Sequence, residues 1–100
     1  MFRVSKDAEG DLEEIFLYWA QRTSLRVADR IIDGIADRFS LLGEHPNAGR
    51  STEDIGAGVR CFPAGKYLIY YRKAHGRTEI LHIFHGARNQ SRALRAKKCE

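Results

Sequence analysis

Two stretches of the chain repeat apolar residues at the three-and-four spacing of a helix with one buried stripe. In the first, Ala8, Leu12, Ile15, Phe16 and Trp19 form the stripe while Asp11, Glu13, Glu14 and Arg22 point elsewhere. Ser5 precedes it as an N-cap, and Asp7 sits in the first turn, where the helix dipole favours a carboxylate. Thr23-Ser24 interrupts the pattern. Ser24 caps the second stretch, whose stripe is Ala28, Ile31, Ile32, Ile35, Phe39 and Leu42 and which closes at Gly43. Its outer face alternates Arg26, Asp29, Arg30, Asp33, Asp37 and Arg38. So short a connection makes the two helices an antiparallel hairpin with a shared apolar face.

The period changes to two elsewhere. Phe2-Arg3-Val4 is a short alternating strand before the first helix, and three strand-like runs follow the second, Val59–Phe62, Lys66–Arg72 and Thr78–His85. Pro63-Ala64-Gly65 and the stretch 73–77 around Gly76 separate them as hairpin turns, whereas residues 43–58, with Pro46, Gly49, Gly56 and Gly58, read as a loop without regular elements. The expected fold is α+β in the order β-α-α-β-β-β, with the hairpin packed on one face of a four-stranded, mainly antiparallel sheet. At 100 residues the whole chain, 1–100, reads as a single domain.

One departure from alternation carries information. In Lys66-Tyr67-Leu68-Ile69-Tyr70-Tyr71 both alternating sets are apolar or aromatic, and in Ile80-Leu81-His82-Ile83-Phe84 nearly so. A sheet with one wet face alternates more cleanly, so part of the second face is expected to lie under the C-terminal tail or another chain.

Composition sets the class. Mean hydropathy is negative, and no apolar run approaches the length of a membrane span. The first residues lack the pattern of a secretory signal, so the expected location is the cytoplasm, with Cys61 and Cys99 as free thiols. Charge is segregated: residues 1–58 carry 7 Lys/Arg and 11 Asp/Glu, net −4, and residues 59–100 carry 10 and 2, net +8. The second half, with its basic tail from Arg88 to Lys98, suits nucleic acid, a ribosome or an acidic protein. Arg88, Arg92 and Arg95 recur at helical spacing and, with Arg60, Lys66, His82 and His85, form the candidate target-binding surface.

Catalytic and metal chemistry find little support. His82 and His85 are three apart on a strand, face opposite sides and cannot share one ion. His45 and His75 fall in loops. Asp7, Asp11 and Glu14 answer the helix dipole and solvate the outer face. Cys61 stands beside Arg60, which favours a thiolate, but no histidine or acid follows at a motif spacing. Gly56-Ala57-Gly58 precedes a strand, the reverse of a phosphate-cradling loop. No cofactor is expected.

Several segments together resemble the ParE/RelE superfamily of bacterial type II toxins, and more closely its ParE branch. They are Ala8 with Asp11-Leu12-Glu13-Glu14-Ile15, the Phe39, Leu42, Pro46, Gly49-Arg50 transition, Arg60-Cys61-Phe62-Pro63, Tyr67 through Arg72, and Ile80 through Asn89. The last string ends His85-Gly86-Ala87-Arg88-Asn89, with Asn89 where such proteins characteristically carry an acid. The resemblance implies a toxin held by a ParD-like antitoxin in a hetero-oligomer, the antitoxin wrapping the hairpin and sheet. Its expected contacts are Leu12, Phe16, Trp19, Ile31, Ile35, Tyr67, Ile69 and Tyr71.

ParE toxins are associated with inhibition of DNA gyrase, and RelE toxins cleave mRNA on the ribosome. Cleavage needs a base, a cation for the phosphate and an acid. Arg88 matches one basic position of such enzymes, but Leu68 stands where they carry arginine and Leu94 near their C-terminal tyrosine. The expected function is therefore gyrase inhibition by protein contact rather than catalysis, without specific DNA binding by this chain alone. A RelE-like ribosome-dependent endoribonuclease is the alternative, and an inert relative that only binds its antitoxin is the third reading.

Overall fold

The computed structural model describes residues 2–86. Its elements are β1 (Phe2–Val4), α1 (Lys6–Arg22), α2 (Leu25–Glu44), β2 (Arg50–Ser51), β3 (Arg60–Ala64), β4 (Tyr67–Ala74) and β5 (Arg77–His85). The sheet runs β1-β5-β4-β3-β2, with β1 parallel to β5 and the other neighbours antiparallel. The expected α+β architecture stands, with a fifth strand. Arg50–Ser51 pairs with Cys61 and Arg60 inside the segment read as loop, a two-residue element too short to leave a periodic trace.

Both helices begin where their caps predict. Ser5 Oγ accepts from the Ala8 N–H at 3.0 Å and Ser24 Oγ from the Val27 N–H at 3.2 Å. Ser5 also donates to the Leu81 carbonyl at 2.9 Å, so the cap ties α1 to β5 just beyond the end of β1. Asp11 continues the attachment. Its carboxylate is buried and accepts the Ile83 N–H at 3.0 Å, satisfying a donor that no strand reaches there. The expectation that Asp11 solvates an outer face is overturned: a sheet edge gives the acid a buried backbone partner.

The hairpin covers one face of the sheet. Ala8 and Ile15 of α1 and Ile35, Phe39 and Leu42 of α2 pack on Ala64, Tyr67, Ile69, Tyr71, Ile80 and Ile83. Thr78 Oγ1 donates to the Leu42 carbonyl at 2.9 Å and fixes the end of α2 against β5. Ile80 and Ile83 share this face although three apart, because the pairing slips between Tyr70 and Tyr71: Tyr70 opposes His82, Tyr71 opposes Ile80, and Leu81 is the extra residue of a bulge. That bulge explains the imperfect alternation of β5.

The second face carries Cys61 and Tyr70, and its cover is part of this chain. Ile55 and Val59 close over them from residues 52–59, a loop held by Thr52, whose N–H and Oγ1 both donate to the Val59 carbonyl, and by Glu53, which accepts the Gly58 N–H at 2.7 Å. Over Cys61 and Tyr70 the cover is thus this loop rather than the expected tail or partner; the tail itself lies outside the described residues. Leu68, Leu81 and Phe84 extend the cluster half-buried. The β4–β5 turn is His75-Gly76 with φ of 54° and 74°, the left-handed pair of a tight hairpin that glycine tolerates best at its second position.

Candidate functional site: an apolar groove with a cationic rim

Between the hairpin and the β3–β4 turn the helix and sheet layers separate and leave a groove of about 400 Å³. Trp19, Ile31, Ile35, Ala64 and Tyr67 supply its apolar lining. Gly34 and Gly65 contribute backbone, and Arg30, Arg38 and Lys66 supply charge at its margins. Trp19 is fixed by its Nε1–H, which donates to Tyr67 Oη at 2.8 Å across the layers. The Tyr18 ring stands edge-on to Trp19 at 5.2 Å, with the Arg22 guanidinium 4.4 Å above it, so an aromatic and cationic surface continues from the groove to the hairpin tip. Tyr18 and Leu17 are each about half exposed and Leu25 is 65% exposed there.

An apolar trough edged by guanidinium and ammonium groups is chemically suited to an amphipathic segment carrying carboxylates. Four of the eight expected antitoxin contacts, Trp19, Ile31, Ile35 and Tyr67, line this groove. Leu12 and Phe16 lie half-buried on α1. Ile69 and Tyr71 do not line it, being 0% and 1% exposed in the chain's own core, and Ile35 and Tyr67, though they line the groove, are themselves only 2% and 7% exposed. Arg30 and Arg38, read from the sequence as outer-face residues, instead border the groove. Both lie four residues from Gly34, but so close a spacing to Gly34 is shared by Asp37, and only the packing of the β3–β4 turn against α2 sets the arginines apart.

The described members of the expected target-binding set do not converge. Arg60 donates to the Gly49 carbonyl at 2.7 Å beside Tyr71, at the opposite end of β4 from Lys66. His82 lies between α1 acids, its Nδ1 3.4 Å from Asp11 and its Nε2 3.9 Å from Asp7, with its ring stacked on Phe84. His85 pairs with Tyr67 across β4 and β5 and meets it edge-on at 5.4 Å. Tyr70 and Tyr67 face opposite layers, so His82 and His85, their strand partners, do too. Arg88, Arg92 and Arg95 lie outside the described residues.

Cys61 is not activated. Burial pushes its thiol up, only partly offset by Arg50 and by a hydrogen bond with Tyr70, and Arg60 points to the other face. Tyr70 beside it is driven up to about 12, first by burial and then by the neighbouring thiol. Leu68 packs in this same cluster. Among the described residues, no group of three or more His, Cys, Asp or Glu side chains is placed to hold a metal ion, and no helix is long and apolar enough to cross a membrane.

Comparison with known proteins agrees with this architecture. Toxin ParE1 of Caulobacter vibrioides is 30% identical over 88 residues, covering 88% of this chain and 91% of that protein. Toxin ParE3 of the same organism is 27% identical over 93 residues, 93% of each. A chain from a solved chromosomal ParDE toxin-antitoxin system of P. aeruginosa superposes with a TM-score of 0.74 at 20% identity, over 84% of this chain and 92% of that one, which establishes the fold. The family profile described as the ParE toxin of the type II toxin-antitoxin system parDE matches residues 2–90. The chain belongs to the ParE toxin family.

Proposed function

We propose that this toxin inhibits DNA gyrase by protein contact in the cytoplasm and is neutralised by a ParD-like antitoxin seated in the groove between α1, α2 and the β3–β4 turn. The observation that carries the antitoxin half is the groove itself, an apolar trough bordered by Arg30, Arg38 and Lys66 on a chain of this family. Burying a few large side chains there removes apolar surface from water, and the marginal cations select an acidic segment over a neutral one. Trp19 is the expected hot spot, being large, half-buried and already held by Tyr67.

The gyrase half is supported by family membership, and the scatter of the described basic residues weighs against the nuclease alternative rather than for a particular target surface. Arg60 is engaged within the fold, His82 sits beside the α1 acids with its Nδ1 buried and, among the described residues, without a hydrogen-bond partner, and Leu68 offers no cation, so an assembled phosphate-cleaving centre finds no support among the described side chains.

Two assays run in parallel test the reading. Purified gyrase in a supercoiling reaction should lose activity as the toxin is titrated, and recover when the antitoxin encoded beside it is added. Ribosomes programmed with mRNA should leave the message intact under the same conditions. Cleaved mRNA with unaffected supercoiling would establish the endoribonuclease instead.

A further inference from the structure

Gly34 sits in the middle of α2, a 20-residue helix in which alanine would be the better helix former. Glycine is required in such a place when φ is positive or when a neighbour leaves no room for a Cβ. Neither holds here: Gly34 is not among the positive-φ glycines, and a Cβ built on it meets nothing within 4 Å. Gly49 shows the contrast, since a Cβ there would stand 2.6 Å from Tyr71 Oη. The chain's own packing therefore makes no use of the side chain missing from Gly34.

The groove does use it. Gly34 lines the trough between Arg30 and Arg38, four residues to either side on the same helix face and about 12 Å apart along the axis. Arg38 folds back to donate to the Gly34 carbonyl at 3.2 Å and still leaves the position over the Gly34 Cα open. The result is a hole in the helical wall with a guanidinium on each side.

We propose that Gly34 is the specificity-determining position of the groove, a hole that receives one bulky apolar side chain of the antitoxin while carboxylates flanking that side chain pair with Arg30 and Arg38. This rests on the reading of the groove as the antitoxin seat. The occupant is identified by charge complementarity: the trough's own charged groups are all cationic, so a partner presenting arginine or lysine there meets like charge. A side chain added at Gly34 fills the hole in the free toxin and excludes the incoming group.

Five variants and one probe, the antitoxin encoded beside this chain, test it by titration calorimetry with thermal melts of each free toxin. Gly34→Ala should raise the free toxin's Tm by about 4 °C and weaken antitoxin binding several-fold. Gly34→Leu should weaken it at least about tenfold. Gly10 is also a mid-helix glycine with nothing near its Cβ, but it does not line the groove, so Gly10→Ala should match the Tm gain at unchanged affinity. Ile31→Asp, in the apolar lining, should weaken binding severely.

If Ile31→Asp weakens binding while Gly34→Ala and Gly34→Leu bind as wild type, the hole is overturned and the groove remains the seat. If Ile31→Asp also binds as wild type, both readings fall. An Arg30→Glu penalty that does not shrink as salt rises would overturn the carboxylate pairing.

Discussion

Tyr67 and Tyr71 stand four residues apart on β4 and point into the same layer beneath the helices, yet their surroundings differ. Around Tyr71 every polar group is closed inward. Its hydroxyl accepts the Gly49 N–H at 2.8 Å and donates to the Pro46 carbonyl at 2.8 Å, and Arg60 completes the knot on the Gly49 carbonyl. Around Tyr67 the layers part. Its hydroxyl accepts from Trp19, and beyond the pair lies the groove with its cations facing outward. One end of the layer is built to hold the chain together and the other to be filled by something else. The difference teaches that an aromatic residue on the buried face of a strand does not by itself mark either role; what its hydroxyl satisfies does.

The largest effect should come from crowding the closed end. A Cβ on Gly49 would lie 2.6 Å from Tyr71 Oη and 2.7 Å from the Cys61 carbonyl, the second of which is backbone and cannot swing away. Gly49→Ala is expected to cost about 3 kcal/mol, read as a fall in the urea midpoint with an unchanged slope. A near-neutral result would mean that the knot around Tyr71 is loose, and the contrast between the ends would fail.

The tyrosine on the far face gives the next effect. Tyr70 is held at about 12 against an ordinary value of 10.0, and burial also raises Tyr71 and Cys61 above their ordinary values of 10.0 and 9.0. Above those ordinary values the unfolded chain releases protons that the folded chain retains. The stability these groups contribute is therefore fully present below about pH 9 and is lost as pH rises toward 12. For Tyr70 the loss is about 2 kcal/mol. Melts from pH 8 to 11.5 should show a steepening decline that Tyr70→Phe reduces.

How far the sequence foretold this contrast depends on the signal each part leaves. The helical hairpin, both serine caps and the three long strands were legible because their periods and caps are local. The knot was not. Pro46, Gly49 and Arg60 read as loop and strand residues, and nothing in their order says that one tyrosine hydroxyl gathers Pro46 and Gly49. The loop cover over Cys61 and Tyr70 left no trace either, since Ile55 and Val59 sit among glycines and acids without a period, while the doubly apolar strands pointed only to some cover by the tail or another chain. Part of the groove was visible as Trp19, Ile31, Ile35 and Tyr67, and its helical cations hid behind the charge alternation of α2. Arg30 and Arg38 share that alternation with Asp29, Asp33 and Asp37, and only the position of the β3–β4 turn distinguishes the arginines.

A smaller effect comes from removing the hydroxyl at the closed end. Tyr71→Phe keeps the ring but strands the Gly49 N–H and the Pro46 carbonyl where water has little access, at about 1.5 kcal/mol. Chemical denaturation checks it directly. Amide hydrogen exchange at Gly49 should also speed up by more than the global loss accounts for, because its only bonded acceptor in the knot is gone.

The smallest effect is the matching deletion at the open end, and it completes the comparison. Tyr67→Phe removes the acceptor of Trp19 Nε1–H, but Trp19 is half-buried beside a groove wide enough for water, so the indole donor can be resolvated. The expected stability cost is about 0.5 kcal/mol, well under that of Tyr71→Phe. Losing the bond frees the indole from its fixed pose, so antitoxin affinity should fall although the fold barely changes. Denaturation of both variants side by side, with antitoxin titrations of each, separates the roles. Equal stability costs, or an affinity loss confined to Tyr71→Phe, would mean that the open end is as structural as the closed one.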